Sequence, residues 1–321
     1  MPGTWTVTRN ALSPIHTFTA PEEGWLVTSH IIELQSQLLV VDAQYTLSYA
    51  REVARYASEL KKPVTRLYVT HYHPDHLLGA AVFEAPLFAL ANVARKIGAV
   101  GNRVAREEHE KTGADIPAEA RQPDWFVDEG QEIIDGVCLE HRLLSGAETE
   151  DALTLALPNA GAIIVQDLVY NHAHLFLGER HFDSWRAALK QYRELPYDIV
   201  LPGHGLPGDK ALYDGMIDYS TSQRVLLMSR RLRRNSRNGF LGVTESMAGA
   251  GCSTTNFVFC SPEFESNYAQ QQAVPRRRIL HHSASCISDQ RGYHTRSEGR
   301  YTQLYRAAER QHAEPNQSTL P

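Results

Sequence analysis

The sequence predicts an α+β fold in which two β-sheets pack face to face beneath covering helices, followed by an irregular C-terminal tail. Three observations predict it. Strand-like runs rich in β-branched and aromatic residues stand both before and after helical ones, in two similar halves of residues 1–230. Between them apolar residues recur at spacings of three and four, as in Ala50, Val53, Ala54, Ala57 and Leu60. From residue 231 onward neither period is sustained.

Taken in order, Ile15–Thr19, Trp25–Leu34 and Gln37–Asp42 form a β-meander, divided by Pro21–Gly24 and by a short polar turn. Leu47–Leu60 is an amphipathic helix that Pro63 stops, and Val64–Thr70 is the next buried strand. Ala80–Phe83 continues as helix, Pro86–Leu90 as strand and Ala91–Val104 as helix again, before a polar excursion over Arg106–Gln122. Cys138–Leu144, Ala152–Leu157 and Ala162–Asp167 are strands, the last two joined by a Pro-Asn-Ala-Gly turn. His181–Leu195 is a helix, Asp198–Leu201 a strand and Ala211–Met228 the closing helix.

The 321-residue chain is 42% hydrophobic and 21% charged, which excludes a collagen, a wholly disordered chain and a disulfide miniprotein. Its four cysteines (Cys138, Cys252, Cys260, Cys286) form no CxxC pair and point to a reducing compartment. The opening segment has no basic stretch followed by an apolar one, and no apolar run approaches a bilayer span. A cytoplasmic location without a membrane partner is the expectation.

The formal net charge of −5 conceals an asymmetry. Residues 1–230 hold 20 Lys+Arg against 30 Asp+Glu, whereas residues 231–321 hold 12 Arg, no Lys and 7 acids. The first stretch is one folded domain. The second is an Arg/Ser-rich tail, either a disordered, solvated appendage or an out-of-frame translation. Its arginines come in two short clusters without interleaved aromatics, and the acidic first part would repel a phosphate backbone, so nucleic acid is not an expected partner. A small-molecule substrate is; the sequence leaves the oligomeric state open.

The chemistry sits in Thr70-His71-Tyr72-His73-Pro74-Asp75-His76, between a buried strand and an apolar helix. Three imidazoles and a carboxylate on one strand-to-helix loop suit zinc, which takes nitrogen and oxygen ligands and keeps a position open for water in enzymes. These residues resemble the first metal motif of the metallo-β-lactamase-fold hydrolases, and the resemblance extends over roughly residues 15–228. It implies an αββα sandwich with a dinuclear metal site at one edge.

The resemblance also implies further ligands at later strand ends. Asp167 stands where the family carries a bridging aspartate, with Gln166 replacing the usual glycine before it. His204, in Leu201-Pro-Gly-His-Gly205, matches the last histidine. Where many relatives have Gly-His-Thr, this chain reads Gly146-Ala-Glu148-Thr, so Glu148 takes the place of a histidine, with Glu150 and Asp151 as nearby alternatives. Metal one is expected on His71, His73 and Glu148, and metal two on Asp75, His76 and His204, with Asp167 between them. The ions would be two Zn2+, and the harder oxygen donor biases the site toward Mn2+ or Fe.

That site implies hydrolysis of an ester-type bond (thioester, lactone, sulfate ester or β-lactam) by a metal-bound hydroxide, with Asp75 orienting it or shuttling a proton. The glutamate resembles the alkylsulfatase branch, although that branch usually has a second Glu where Asp167 stands. Tyr170, His172 and His174 are candidate substrate contacts. The alternative is a catalytically inactive metal-binding protein with a damaged C-terminus.

Overall fold

A computed structural model describes residues 2–10, 13–113 and 115–221. The first of two sheets runs in the order β1 (Thr4–Thr8), β2 (Ile15–Thr19), β3 (Thr28–Glu33), β4 (Leu38–Val41), β5 (Val64–Tyr68), β6 (Leu87–Leu90) and β7 (Trp125–Val127). Strands β1 to β4 pair antiparallel and β4 to β7 pair parallel. The second sheet contains β8 (Gly130–Ile134), β9 (Val137–Ser145), β10 (Asp151–Leu157), β11 (Ala162–Tyr170) and β12 (Ile199–His204), in spatial order 12-11-10-9-8. Only its β11–β12 pair is parallel.

The switch from antiparallel to parallel pairing follows from the connections. A tight turn suffices between β3 and β4, but β4 returns beside β5 only through a crossover, which α1 (Leu47–Glu59) supplies. Thr46 caps α1, its hydroxyl accepting from the Tyr49 amide, and Ala50, Val53 and Ala57 face the sheet. The helix α3 (Ala91–Thr112) makes the β6-to-β7 crossover.

Leu39, Leu67, Leu153, Leu155 and Ile164 from the two sheets share one buried core. On the outer face of the second sheet, Trp185, Leu189 and Tyr192 of α4 (Phe182–Arg193) pack with Ile163, Val165, Tyr213 and Met216. The last two come from a helix over residues 211–221. The layers are thus helix, sheet, sheet, helix: the expected αββα sandwich.

Several boundaries differ from expectation. The strand expected from Trp25 begins at Thr28, because Trp25 and Leu26 have φ of 59° and 58° and turn the chain. Helix begins earlier than Ala80: α2 (Pro74–Leu77), with Pro74 in its first turn, is followed by a 3-10 segment, Leu78–Val82. The polar run after Val104 is not a loop at its start, since α3 continues to Thr112, burying Ala105 and pairing Arg103 with Glu107 on its outer face. Strands β1, β7 and β8 were not anticipated; they are short and lie at or near sheet edges. Residues 222–228 of the closing helix, the boundary at 230, the whole tail and three of the cysteines lie outside the described residues. No helix among the described residues is long and apolar enough to cross a membrane.

Candidate metal centre

Strand ends of both sheets converge at one edge of the sandwich. His71 and His73 follow β5, Asp75 and His76 lie on α2, Glu148 sits in the β9–β10 turn, Asp167 is in β11 and His204 ends β12. All seven are buried. Their donor atoms form two groups, His71/His73/Glu148/Asp167 and Asp75/His76/His204, with the atoms of each group within 4.8 Å of one another.

In the first group Glu148 Oε2 lies 3.1 Å from His73 Nδ1 and 3.5 Å from His71 Nε2. In the second, Asp75 Oδ2 lies 3.3 Å from His204 Nε2 and 3.5 Å from His76 Nε2. Asp167 reaches both: Oδ2 is 3.6 Å from His71 Nε2 and 3.4 Å from His204 Nε2, and Oδ1 is 3.2 Å from His76 Nε2. A carboxylate in β11 approaches β12 this closely because Gly203 leaves room. A Cβ on Gly203 would stand 1.8 Å from Asp167 Oδ1.

The donor set fits divalent metal ions. His71 Nε2, His76 Nε2, His204 Nε2, Glu148 Oε2 and Asp167 Oδ1 are buried and make no directed hydrogen bond. Leaving a polar atom in that state costs about 1–3 kcal/mol. Five such atoms aimed at common centres are accounted for by ligands that accept several lone pairs at once.

In His71, His76 and His204 the other imidazole nitrogen is held by a hydrogen bond, as is usual for metal-binding histidines, and in His73 it faces a carboxylate. His71 Nδ1 meets Thr70 Oγ1 at 3.1 Å, and His204 Nδ1 donates to the Trp25 carbonyl at 2.8 Å. His76 Nδ1 donates to Asp42 Oδ2 at 2.7 Å, and His73 Nε2 faces Glu179 Oε1 at 3.8 Å.

Electrostatics divide the group by environment. Burial pushes the His76 imidazole down, but Asp167, Asp75 and Asp42 together lift it well above its ordinary value. Burial likewise opposes charge on His73 and His204, yet Glu148 beside the one and Asp167 beside the other raise each to about 10. Burial and the Asp167 charge push the Glu148 carboxyl up to about 8. Asp167, against the same burial, is held well below the carboxylate range by His76 and His204. Protons and metal ions compete for these donors.

Of the alternatives to Glu148, Glu150 is exposed and Asp151 accepts from Ser145 and Asn92. Tyr170 is buried, and its hydroxyl, with one hydrogen to donate, lies 2.5 Å from Glu148 Oε1 and 2.8 Å from Asp167 Oδ2. His172 and His174 fall outside both donor groups. They are exposed and line a cavity of about 370 Å³ with Tyr170, Met216 and Tyr219, whose hydroxyl is 2.9 Å from His174 Nδ1.

Two contributors escaped the sequence reading. Asp42, directly after β4, also accepts from the Thr70 amide and hydroxyl at 2.8 Å each and from the Gln166 side chain. An acid closing the apolar run Leu38-Leu-Val-Val41 was the available signal. Glu179 accepts from the Tyr72 hydroxyl at 2.6 Å and carried no such signal.

Residues 23–204 match the family model of the Metallo-beta-lactamase superfamily. With the fold and donor groups above, the chain belongs to that superfamily of metal-binding hydrolases. The chain is 24% identical over 217 aligned residues to a linear primary-alkylsulfatase of a Pseudomonas species, covering 55% of this chain and 41% of the relative. The match thus spans well under half of that relative's length. A metallo-beta-lactamase from Pontibacter korlensis superposes with a TM-score of 0.52 at 22% identity, covering 68% of this chain and 99% of the other. The metallo-beta-lactamase FIM-1 from Pseudomonas aeruginosa, solved in a mono-zinc form, gives a TM-score of 0.51 at 19% identity, with 70% and 96% covered. At these identities the structural likeness establishes the fold.

Proposed function

We propose that this hydrolase cleaves an ester-type bond in a small molecule with two divalent metal ions, zinc foremost. His71, His73, Glu148 and Asp167 would hold one ion; Asp75, His76 and His204 would hold the other, with Asp167 shared. The observation that carries this reading is the convergence of five buried donor atoms that make no directed hydrogen bond.

Ions bound there supply Lewis-acid polarisation of the scissile bond and activation of water. The chain's own residues do the rest. Asp75 is disfavoured as a charge by burial, but His76 and His204 hold it below the usual carboxylate range. Its Oδ2, 3.3 Å from His204 Nε2 and 3.5 Å from His76 Nε2, stands among the donor atoms, where it would orient the attacking water or pass its proton to the leaving group. Phe176 lies with its ring edge-on to His73 at 5.1 Å, Trp25 supplies the carbonyl that fixes His204, and Leu206 follows His204 by two residues. These three are among the five large apolar side chains left exposed in the described residues, and they suit an apolar substrate chain at the rim. The alkylsulfatase relative and the glutamate at position 148 make a primary alkyl sulfate the first member of the class to test.

The test is a hydrolysis panel of alkyl sulfate, thioester, lactone and β-lactam on metal-reconstituted protein, with a chelated control. One class should turn over, and chelator, His73→Ala or His204→Ala should abolish it and lower metal content. Full turnover by either variant, or in chelator, would overturn the reading.

A further inference from the structure

The Glu148 carboxylate has two oxygens in different circumstances. Oε1 accepts the Tyr170 hydroxyl at 2.5 Å, whereas Oε2 makes no directed hydrogen bond and faces His73 Nδ1 at 3.1 Å. Tyr170 is itself held from several sides. Its ring stacks on His204 with centroids 4.4 Å apart and planes 7° apart, its amide meets Met216 Sδ at 3.4 Å, and its hydroxyl also reaches Asp167 at 2.8 Å.

We propose that Tyr170 is a positioning residue that makes Glu148 a one-oxygen metal donor. A free carboxylate can chelate an ion through both oxygens, which raises its coordination number and favours harder ions. The phenol turns Oε1 toward itself and leaves Oε2 facing His71 and His73, so that Oε2 is the oxygen presented to an ion there, as an imidazole presents a single nitrogen. Tyr170 thereby lets a glutamate occupy an imidazole's place without changing the ion's ligand count, and it offsets the bias toward manganese or iron that a carboxylate introduces. The same side chain ties this carboxylate to Asp167 and, through its ring, to His204 in the second group. The inference rests on the metal reading above.

Cobalt(II), whose visible absorption is intense when four-coordinate and weak when six-coordinate, reports the ligand count in the full-length chain without reference to turnover. The wild-type cobalt spectrum sets the reference intensity. Tyr170→Phe keeps the stacked ring and removes the hydroxyl. Its cobalt band should lose intensity severalfold, zinc affinity measured by chelator competition should fall by about 10–100-fold, and the manganese-to-zinc affinity ratio should rise. An unchanged spectrum and ratio in Tyr170→Phe would overturn the proposal. So would a change confined to Tyr170→Leu, which would assign the effect to the ring. If Tyr170→Phe fails to fold, Glu148→His decides: a one-oxygen glutamate predicts the same cobalt intensity in that variant as in the wild type, and a markedly stronger band in the variant overturns the proposal. A wild-type chain that binds no cobalt overturns the metal reading and this inference together, whereas normal wild-type binding with an unaltered Tyr170→Phe overturns this inference alone.

Discussion

His76 Nδ1 donates to Asp42 Oδ2 at 2.7 Å, with both side chains fully buried. The contact fixes which imidazole nitrogen points at the donor cluster. The same carboxylate gathers Thr70 and Gln166, so one acid braces the loop that bears His71 and the strand that bears Asp167. Asp42→Asn presents the wrong polarity to at least one of these donors. Metal affinity should fall by about 10–100-fold, as for loss of other outer partners of metal ligands. Metal titration followed by elemental analysis checks this, and wild-type affinity in the variant would show that the bracing is dispensable.

Gln166 has φ of 45°, in the left-handed region where a side chain costs about 1–2 kcal/mol. It tolerates that strain while its amide serves Asp42. Gln166→Ala keeps the strain and loses the hydrogen bond, whereas Gln166→Gly loses the bond but relieves the backbone. Glycine should therefore be the more stable substitution by about 1 kcal/mol, the reverse of the usual strand preference. Denaturant melts of the two variants settle the order.

Gly203 is constrained by proximity. A methyl group at this position would stand 1.8 Å from Asp167 Oδ1 and 2.9 Å from the Asp167 amide nitrogen, so strand β11 or β12 must shift. Gly203→Ala should lose metal binding and at least about 1 kcal/mol of stability. Stoichiometric metal in a normally melting variant would show that β12 can yield without disturbing the site.

His30 is fully buried and interacts with Thr17 Oγ1 at 3.0 Å and Thr28 Oγ1 at 3.2 Å. Burial lowers its pKa from 6.5 to about 3. Above pH 6.5 the imidazole is neutral whether the chain is folded or not, and its contribution is fully present. As pH falls from there toward 3, the unfolded chain binds a proton that the folded chain refuses, and stability declines by up to about 1.4 kcal/mol per pH unit. In His30→Gln, proton uptake on unfolding between pH 6 and 4 should drop by about one. Stability curves measured across that window test the assignment; equal slopes would contradict it.

Much of the architecture was legible locally. The β2-to-β4 meander, α1 and the starts of the strands that lead to Asp167 and His204 follow from apolar period and turn residues, although those strands run on to Tyr170 and His204 rather than ending at Asp167 and Leu201, and the loop from His71 to His76 carries its chemistry in its spacing. Edge strands β1, β7 and β8 and the second half of α3 were obscured because short or solvent-facing elements have weak apolar periodicity.

The sequence by itself determined two sheets under covering helices and a histidine-rich loop after a buried strand, because apolar period and residue type are local properties, and its resemblance to a known family supplied the candidates Glu148, Asp167 and His204. Only the tertiary structure decided which carboxylate of the β9–β10 turn faces inward, that Asp42 braces the loop from Thr70 to His76 and that Tyr170 lies against Glu148. Those relationships join atoms 22 to 124 residues apart in the chain. Their physical basis is packing: strands from two sheets end at one edge, and buried polar groups there must find partners wherever the fold brings them.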